Sequence, residues 1–290
     1  MFFQHLLNGL IVGGIYAMVA LGYSMVYGVL QIVNWAHADV LMFATFIGLI
    51  LATQLNMPVI VMVILAALFA AILGMSVERV AYRPIKSGNR KMAVLVSALG
   101  MSTFLQNLAQ LIFGSGTRQF KAIKSVSYNI KGLTVTNLQI LILAVTAVML
   151  IILYILVYKT KIGIAMRACS VSVKNAKLMG INTNFIISGT FAIGAFMAGV
   201  AGILIGVYYS AVYPTMGYLL GMKAFAAAIL GGIGSIPGAV FGGFVIGIIE
   251  CLGAGYISPE YRDAFAFLVM IVILIFRPSG LMGAKHIDKV

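Results

Sequence analysis

The sequence predicts an all-α, polytopic membrane protein with about eight or nine transmembrane helices. Three observations carry that expectation. Hydrophobic residues make up 62% of the 290 positions and charged residues only 9%, against about 25% charged in an average soluble domain. Mean hydropathy is +1.11. The apolar residues also form continuous runs near the roughly 20 residues that cross a bilayer as a helix, without the alternation of barrel strands.

In order, the runs are 3–30, 40–55, 58–77, 92–113, 138–158, 185–209, 221–233, 239–257 and 264–276. The first begins MFFQHLLNGL, with no basic region and no small-residue cleavage site, which predicts a retained span rather than a cleaved signal. Segment 221–233 is short. It reads either as a crossing helix or as a re-entrant one, giving nine spans or eight. After it, Ser235-Ile236-Pro237-Gly238 predicts a sharp turn, because proline cannot continue a helical ladder. Gly238/Gly242 and Gly243/Gly247 follow, each pair four apart, the spacing that lets helix backbones approach closely in lipid.

The net charge of +13 would suggest nucleic acid in a soluble chain. Here the bases gather in short loops beside spans, so no nucleic-acid partner is expected. Loop 78–91 holds Arg79, Arg83, Lys86, Arg90 and Lys91; loop 114–136 holds Arg118, Lys121, Lys124 and Lys131. Loop 159–183 holds Lys159, Lys161, Arg167, Lys174 and Lys177. The positive-inside rule places loops 78–91 and 159–183 and the tail in the cytoplasm. Loop 114–136 and the N-terminus then lie outside. The chain reads as one transmembrane domain, 1–290, with a cytoplasmic loop at 159–183.

Charges are rare enough to weigh one by one. Lys223 and Glu250 stand at similar distances on either side of the 235–238 turn, and a lone charge in a membrane is costly. An ion pair near the outer side is expected. Glu260, Arg262 and Asp263 are expected to pair with one another at an outer turn, and Glu78 and Asp288 to be solvated. The polar break Asn34-Trp35-Ala36-His37-Ala38-Asp39 is either a wet turn, with Asp39 accepting from His37 or capping the next helix, or the lining of a path. Ser97, Ser102, Thr103, Gln106, Asn107 and Gln110 give the fourth run a polar side suited to interhelical hydrogen bonds or a pathway. The candidate pathway residues are Asn34, His37, Asp39, Gln106 and Asn107.

Catalysis is not expected. No nucleophile–base set, metal cluster or GxxxxGK[ST] phosphate loop occurs, so no cofactor is predicted. Cys169 and Cys251 predict neither a disulfide nor a metal site.

In loop 159–183, Ile162, Met166, Cys169, Val173, Ala176 and Gly180 recur at intervals of four and three. That spacing lays a narrow small-to-apolar stripe on one helical face, with Arg167 and Lys174 toward the solvated side. By itself this is either a basic helix on anionic lipid or a docking element for a partner.

The longer motifs carry a resemblance. Gly14-Ile-Tyr-Ala17, Leu21-Gly-Tyr-Ser-Met-Val-Tyr-Gly28, Asn34-Trp-Ala-His-Ala-Asp39 and Glu78-Arg-Val-Ala-Tyr-Arg-Pro84 occur in that order. Arg167-Ala-Cys-Ser170, Leu178-Met-Gly-Ile-Asn182, Lys223-Ala-Phe, Leu230-Gly-Gly-Ile-Gly-Ser-Ile-Pro-Gly238 and Phe276-Arg-Pro-Ser-Gly-Leu281 follow. End to end, the chain resembles the H-type (LivH-like) permease subunits of bacterial branched-chain amino acid ABC importers. The family usually has Asn-Phe-Ala-His-Gly-Asp in the break; here Ala38 replaces the glycine, so that position is expected not to need a positive φ.

The resemblance implies the ABC importer permease fold in the bacterial inner membrane, forming half of a translocation path. It implies four partners: a second, related (LivM-like) permease, two cytoplasmic ATPases that bind the ATP, and an extracytoplasmic amino acid-binding protein. It further implies that loop 159–183 holds a coupling helix on the ATPase, with Met166, Arg167, Cys169, Lys174, Ala176, Leu178 and Gly180 as coupling residues and Gly180 as its C-terminal cap. Related permeases carry urea and short amides, which leaves that substrate class as an alternative. The residues alone also leave a self-contained channel or ion-coupled carrier, with His37, Asp39 or Glu250 as coupling groups.

Overall fold

The structure, a computed structural model, describes residues 1–85, 90–120, 126–130 and 132–283. Lys86, Lys121, Lys124, Lys131 and Asp288 lie outside the described residues.

Among the described residues eleven α-helices form in order: α1 (Phe2–Leu30), α2 (His37–Thr53), α3 (Val59–Val77), α4 (Arg90–Phe113), α5 (Asn137–Lys159), α6 (Lys161–Val171), α7 (Val173–Leu178), α8 (Thr183–Tyr208), α9 (Met216–Gly231), α10 (Ile236–Tyr256) and α11 (Arg262–Phe276). Six are long and apolar enough to cross a membrane: α1, α3 with its extension to Tyr82, α4 from Met92, α5, α8 and α10. α2 and α9 are apolar but have 17 and 16 residues. At 1.5 Å per residue each is about 25 Å long, short of the ~30 Å hydrocarbon core.

The layering follows from composition. α1 and α8 are apolar around most of their circumference and are buried along most of their length, as an all-round apolar helix in a large bundle must be. α1 packs against α8, α9 and α10, and α8 packs against α2 and α3. α3, α4 and α5 lie outside, exposing Ile64, Leu68, Ile72, Val96, Phe104, Leu111, Ile151 and Ile155. Such an apolar rim suits hydrocarbon, not water.

Glycines set how closely the centre packs. A Cβ on Gly243 would lie 2.5 Å from Ala17 Cα, and one on Gly247 would lie 2.3 Å from Gly13 Cα. Backbone meets backbone there, as the four-residue spacing predicts. Ser235 caps α10, accepting from Gly238 N at 3.2 Å, so the 235–238 turn forms where proline and glycine demanded it. Ala38 does not take a positive φ, as expected from its replacing glycine; it fills the space against Gly221.

Two expected loops are ordered differently. Within 114–136, β1 (Arg118–Gln119) pairs antiparallel with β4 (Ala211–Val212), and β2 (Ser127–Ile130) pairs with β3 (Leu133–Thr136). These short strands are a departure from the all-α expectation. Their pairing satisfies backbone groups where the chain runs extended between helices, and Phe120, fully buried against Gly48 and Gly206, anchors the β1–β4 pair. In 78–91, α3 continues as a π-helical turn, Glu78–Tyr82. The turn swings Glu78 inward, so it is 2% exposed rather than solvated.

Candidate functional site

Three polar constellations interrupt the apolar bundle. The first is an ion cluster at the end that holds the N-terminus. Lys223 Nζ lies 2.9 Å from Glu250 Oε1, so the expected pair exists. It is half of a larger set. Arg262 Nε stands 2.5 Å from Glu250 Oε1 and Lys223 Nζ 2.5 Å from Asp263 Oδ1. Tyr16 donates to Glu250 Oε1 at 3.2 Å. Glu250 is fully buried and Lys223 4% exposed. The expectation that Arg262 and Asp263 pair with Glu260 is therefore corrected. A short turn, Pro259–Tyr261, starts α11 so that its first two residues face α9 and α10, where the buried Lys223–Glu250 pair offers each of them an opposite charge.

The second constellation is at mid-depth. After α1 the chain turns through Gln31, at φ 55, and α2 restarts beside Gly22, where His37 Nε2 would lie 2.2 Å from an added Cβ. His37 packs edge-on to Tyr23, with ring centroids 4.8 Å apart. Asn34 accepts from Tyr82 at 2.7 Å. Asp39 neither caps α2 nor accepts from His37. Its carboxylate reaches α4, where Ser102 Oγ donates to Oδ2 at 2.5 Å and Gln106 Nε2 to Oδ1 at 3.0 Å.

Asp39 and Gln106 line a recess of about 340 Å³ walled by α1, α2, α4 and α9. Trp35, Ser102, Tyr218 and Met222 line it too. Of the five predicted pathway residues, then, two share a cavity. Asn34 and His37 sit behind it, locked to Tyr82 and Tyr23. Asn107 faces outward and bonds only its own helix, at Thr103 O. Tyr218 and Met222 were not foreseen; their four-residue spacing, which puts them on one face of α9, is the one available signal.

The third constellation lies at the opposite end. Arg83 binds Glu78 with two parallel hydrogen bonds of 3.0 Å, and Ser188 donates to Glu78 Oε2 at 2.7 Å, tying the end of α3 to α8. Beside it, loop 159–183 is two helices, not one. Ser172 is extended and accepts from Asn175 N at 3.2 Å. A serine in that conformation caps a new helix and ends the old one. Thr160 and Asn182 cap α6 and α8 in the same way.

The predicted stripe faces outward only at its ends, where Ile162 and Gly180 are exposed. Met166, Cys169 and Ala176 are buried within this chain. Arg167, although exposed, donates to the Val157 carbonyl and lies over the Tyr158 ring, holding α6 to the end of α5. Gly180, at φ 83, accepts the left-handed turn after α7, its N–H bonding Lys177 O at 3.1 Å, as a C-terminal glycine does. The most exposed apolar residues of the loop are Val171, Leu178 and Met179, at 88%, 78% and 83%; Lys174 and Lys177 are exposed beside them.

Residues 5–274 match the family described as "Branched-chain amino acid transport system / permease component". The chain is 41% identical to the "High-affinity branched-chain amino acid transport system permease protein BraD" of Pseudomonas aeruginosa, over all of this chain and 98% of that one. It is 39% identical to the protein called LivH in Escherichia coli K12, with the same two shares covered. Among solved structures it is similar to "PsaBC from Streptococcus pneumoniae in complex with Fab", with a TM-score of 0.52 over 96% of this chain and 93% of that one. At 15% identity that likeness concerns the fold alone.

Proposed function

Since the chain belongs to the family of branched-chain amino acid transport permeases, we propose that it forms half of the translocation path of an ATP-driven importer of leucine, isoleucine and valine. The observation that carries this reading is the match over the whole chain to permeases of branched-chain amino acid systems. It favours those substrates over urea or short amides. It also favours an importer subunit over a self-contained channel or carrier.

The reading assigns ATP binding and hydrolysis to two cytoplasmic ATPases and substrate capture to an extracytoplasmic binding protein, with this chain neither an enzyme nor a nucleotide binder. A second, related permease completes the path. The Asp39 recess supports that partner, because its rim residues Leu99, Thr103 and Tyr218 are exposed at mid-depth. A polar recess open to hydrocarbon is costly, whereas one facing a water-filled space between two permeases is not. The reading places eight or nine spans in a bacterial inner membrane, with the N-terminus outside and the C-terminus and loop 159–183 in the cytoplasm. In support, His5 packs against Tyr256, away from α6, while Leu281 and Met282 bond Leu230 and Gly231 just before the turn whose Gly234 shares a recess with Met166 and Arg167.

Loop 159–183 is the coupling element in this scheme, and its geometry divides the expected coupling residues. Met166, Cys169 and Ala176 hold α6 and α7 to the body. Lys174, Leu178 and Gly180, with Val171 and Met179, form the surface offered to the ATPase. In proteoliposomes holding the whole complex, Leu178→Asp with Met179→Asp should cut binding-protein-stimulated ATP hydrolysis and leucine uptake together, by roughly tenfold or more, as loss of a central apolar anchor does. Yield and thermal stability of the complex's permease should not change. Uptake at the wild-type rate, or uptake by the permease without ATPases, would sink the reading.

A further inference from the structure

Three carboxylates are buried among the described residues: Glu78, Glu250 and Asp39. Glu78 has Arg83, and Glu250 has both Lys223 and Arg262. Asp39 is 1% exposed and has no ion-pair partner among the described residues. Its two hydrogen bonds come from neutral groups, Ser102 and Gln106. The positive end of the α2 dipole adds partial compensation. Together these fall short of what a full negative charge at membrane depth requires.

The missing charge has room to arrive. Asp39 borders the recess of about 340 Å³, far larger than one water requires. Trp35, Leu99 and Met222 also line it, offering apolar surface to an aliphatic side chain, with the exposed Tyr218 beside them. We propose that Asp39 receives the ammonium group of the amino acid in transit, so that the recess is a substrate waypoint whose missing cation is the substrate's own. This rests on the permease reading above and deepens it. Ser102 and Gln106 hold the carboxylate toward the recess and are its positioning residues.

The arrangement suits transport as much as recognition. One carboxylate with two neutral donors gives a single ionic contact, enough to favour entry of a zwitterion. A fuller cage would hold it, and a transport site must also release its ligand. The bias is toward solutes with a free amine, in addition to the choice made by the binding protein.

The test uses the complete complex in proteoliposomes, reading radiolabelled leucine uptake and ATP hydrolysis in parallel. Asp39→Asn keeps the shape and one accepting oxygen and removes the charge; its NH2 group becomes a donor, which the Ser102 hydroxyl can accept. Leucine taken up per ATP hydrolysed should fall roughly tenfold or more, and Asp39→Glu should restore part of it. An Asp39→Asn complex that takes up leucine like wild type overturns the proposal, because transport then needs no negative charge at that position.

A second measurement needs no variant. Labelled leucine retained by the wild-type complex freed of its binding protein should be displaced by 3-methylbutylamine and not by 4-methylpentanoate. No retention, or the reverse order of competition, also overturns it. A wild-type complex that moves no amino acid at all instead refutes the substrate reading, an outcome distinct from either of these.

Discussion

Glu250→Ala is expected to leave little folded protein. Glu250 is fully buried, forms ion pairs with Lys223 and Arg262, and accepts hydrogen bonds from Lys223 and Tyr16. Deleting it strands two cations, with only Asp263 left to meet them. Removing one partner of a buried ion pair costs about 3–5 kcal/mol, a large part of the 5–15 kcal/mol typical of whole domains. Thermal unfolding in detergent should show the loss, and monodisperse yield should fall with it. Lys223→Met should cost less, because Glu250 keeps Arg262 and the orphaned Asp263 is partly exposed. Charge exchange, Lys223→Glu with Glu250→Lys, should give no rescue. The new lysine would face Arg262, and the new glutamate would face Asp263. An exchange that restores stability would mean that Arg262 and Asp263 do not belong to the cluster.

Gly247→Ala should have a comparable effect through packing alone. The added methyl would sit 2.3 Å from Gly13 Cα and N. Neither is the end of a flexible side chain, so α1 and α10 must move apart. Overpacking an ordinary core site costs about 1–3 kcal/mol; here the separation propagates to Gly243, whose own Cβ would meet Ala17 at 2.5 Å. A loss at or above the top of that range is expected in the same unfolding assay. Gly100→Ala is the control. A Cβ on Gly100 has nothing within 4 Å, and alanine favours helix by up to about 1 kcal/mol. Equal melting temperatures for the two variants would refute the close-packing account.

What the sequence allowed to be read depended on how local the cause was. The six long apolar helices were legible because runs of that length have few alternatives; the shorter runs become helices too short to be counted with them. The Lys223–Glu250 pair was legible because two rare charges flank one turn at matched distance. Arg262 and Asp263 were misread because residues at a turn are ordinarily solvated, and nothing local signals that α11 begins by facing α9. The stripe in 159–183 was real as spacing and wrong as a face. Ser172 ends the first helix by capping the second, and one polar residue in a polar loop is a weak stop signal. Glu78 was misplaced for a related reason, since a single π-helical turn rotates the residues after Val77 in a way a 3.6 periodicity does not anticipate. The Asp39 recess was half visible. Its polar residues stood out, but Tyr218 and Met222 come from a helix some 180 positions later in the chain, and only the fold brings them together.

The ion cluster also has a consequence for biogenesis. A chain entering the bilayer from its N-terminus presents α9 with Lys223 well before the residues that neutralise it. Glu250 is 27 positions further on, and Arg262 and Asp263 come later still. On insertion scales a lysine at the centre of a helix opposes partitioning by about 2.5–3.5 kcal/mol, a heavy load for the 16 residues of α9. Tyr16 on α1 is already in place and offers a hydroxyl, not a charge. The last three apolar helices therefore have reason to leave the insertion machinery as one group. Synthesis stalled between α9 and α10 would leave a lysine waiting beside lipid, marking an incomplete permease for quality control.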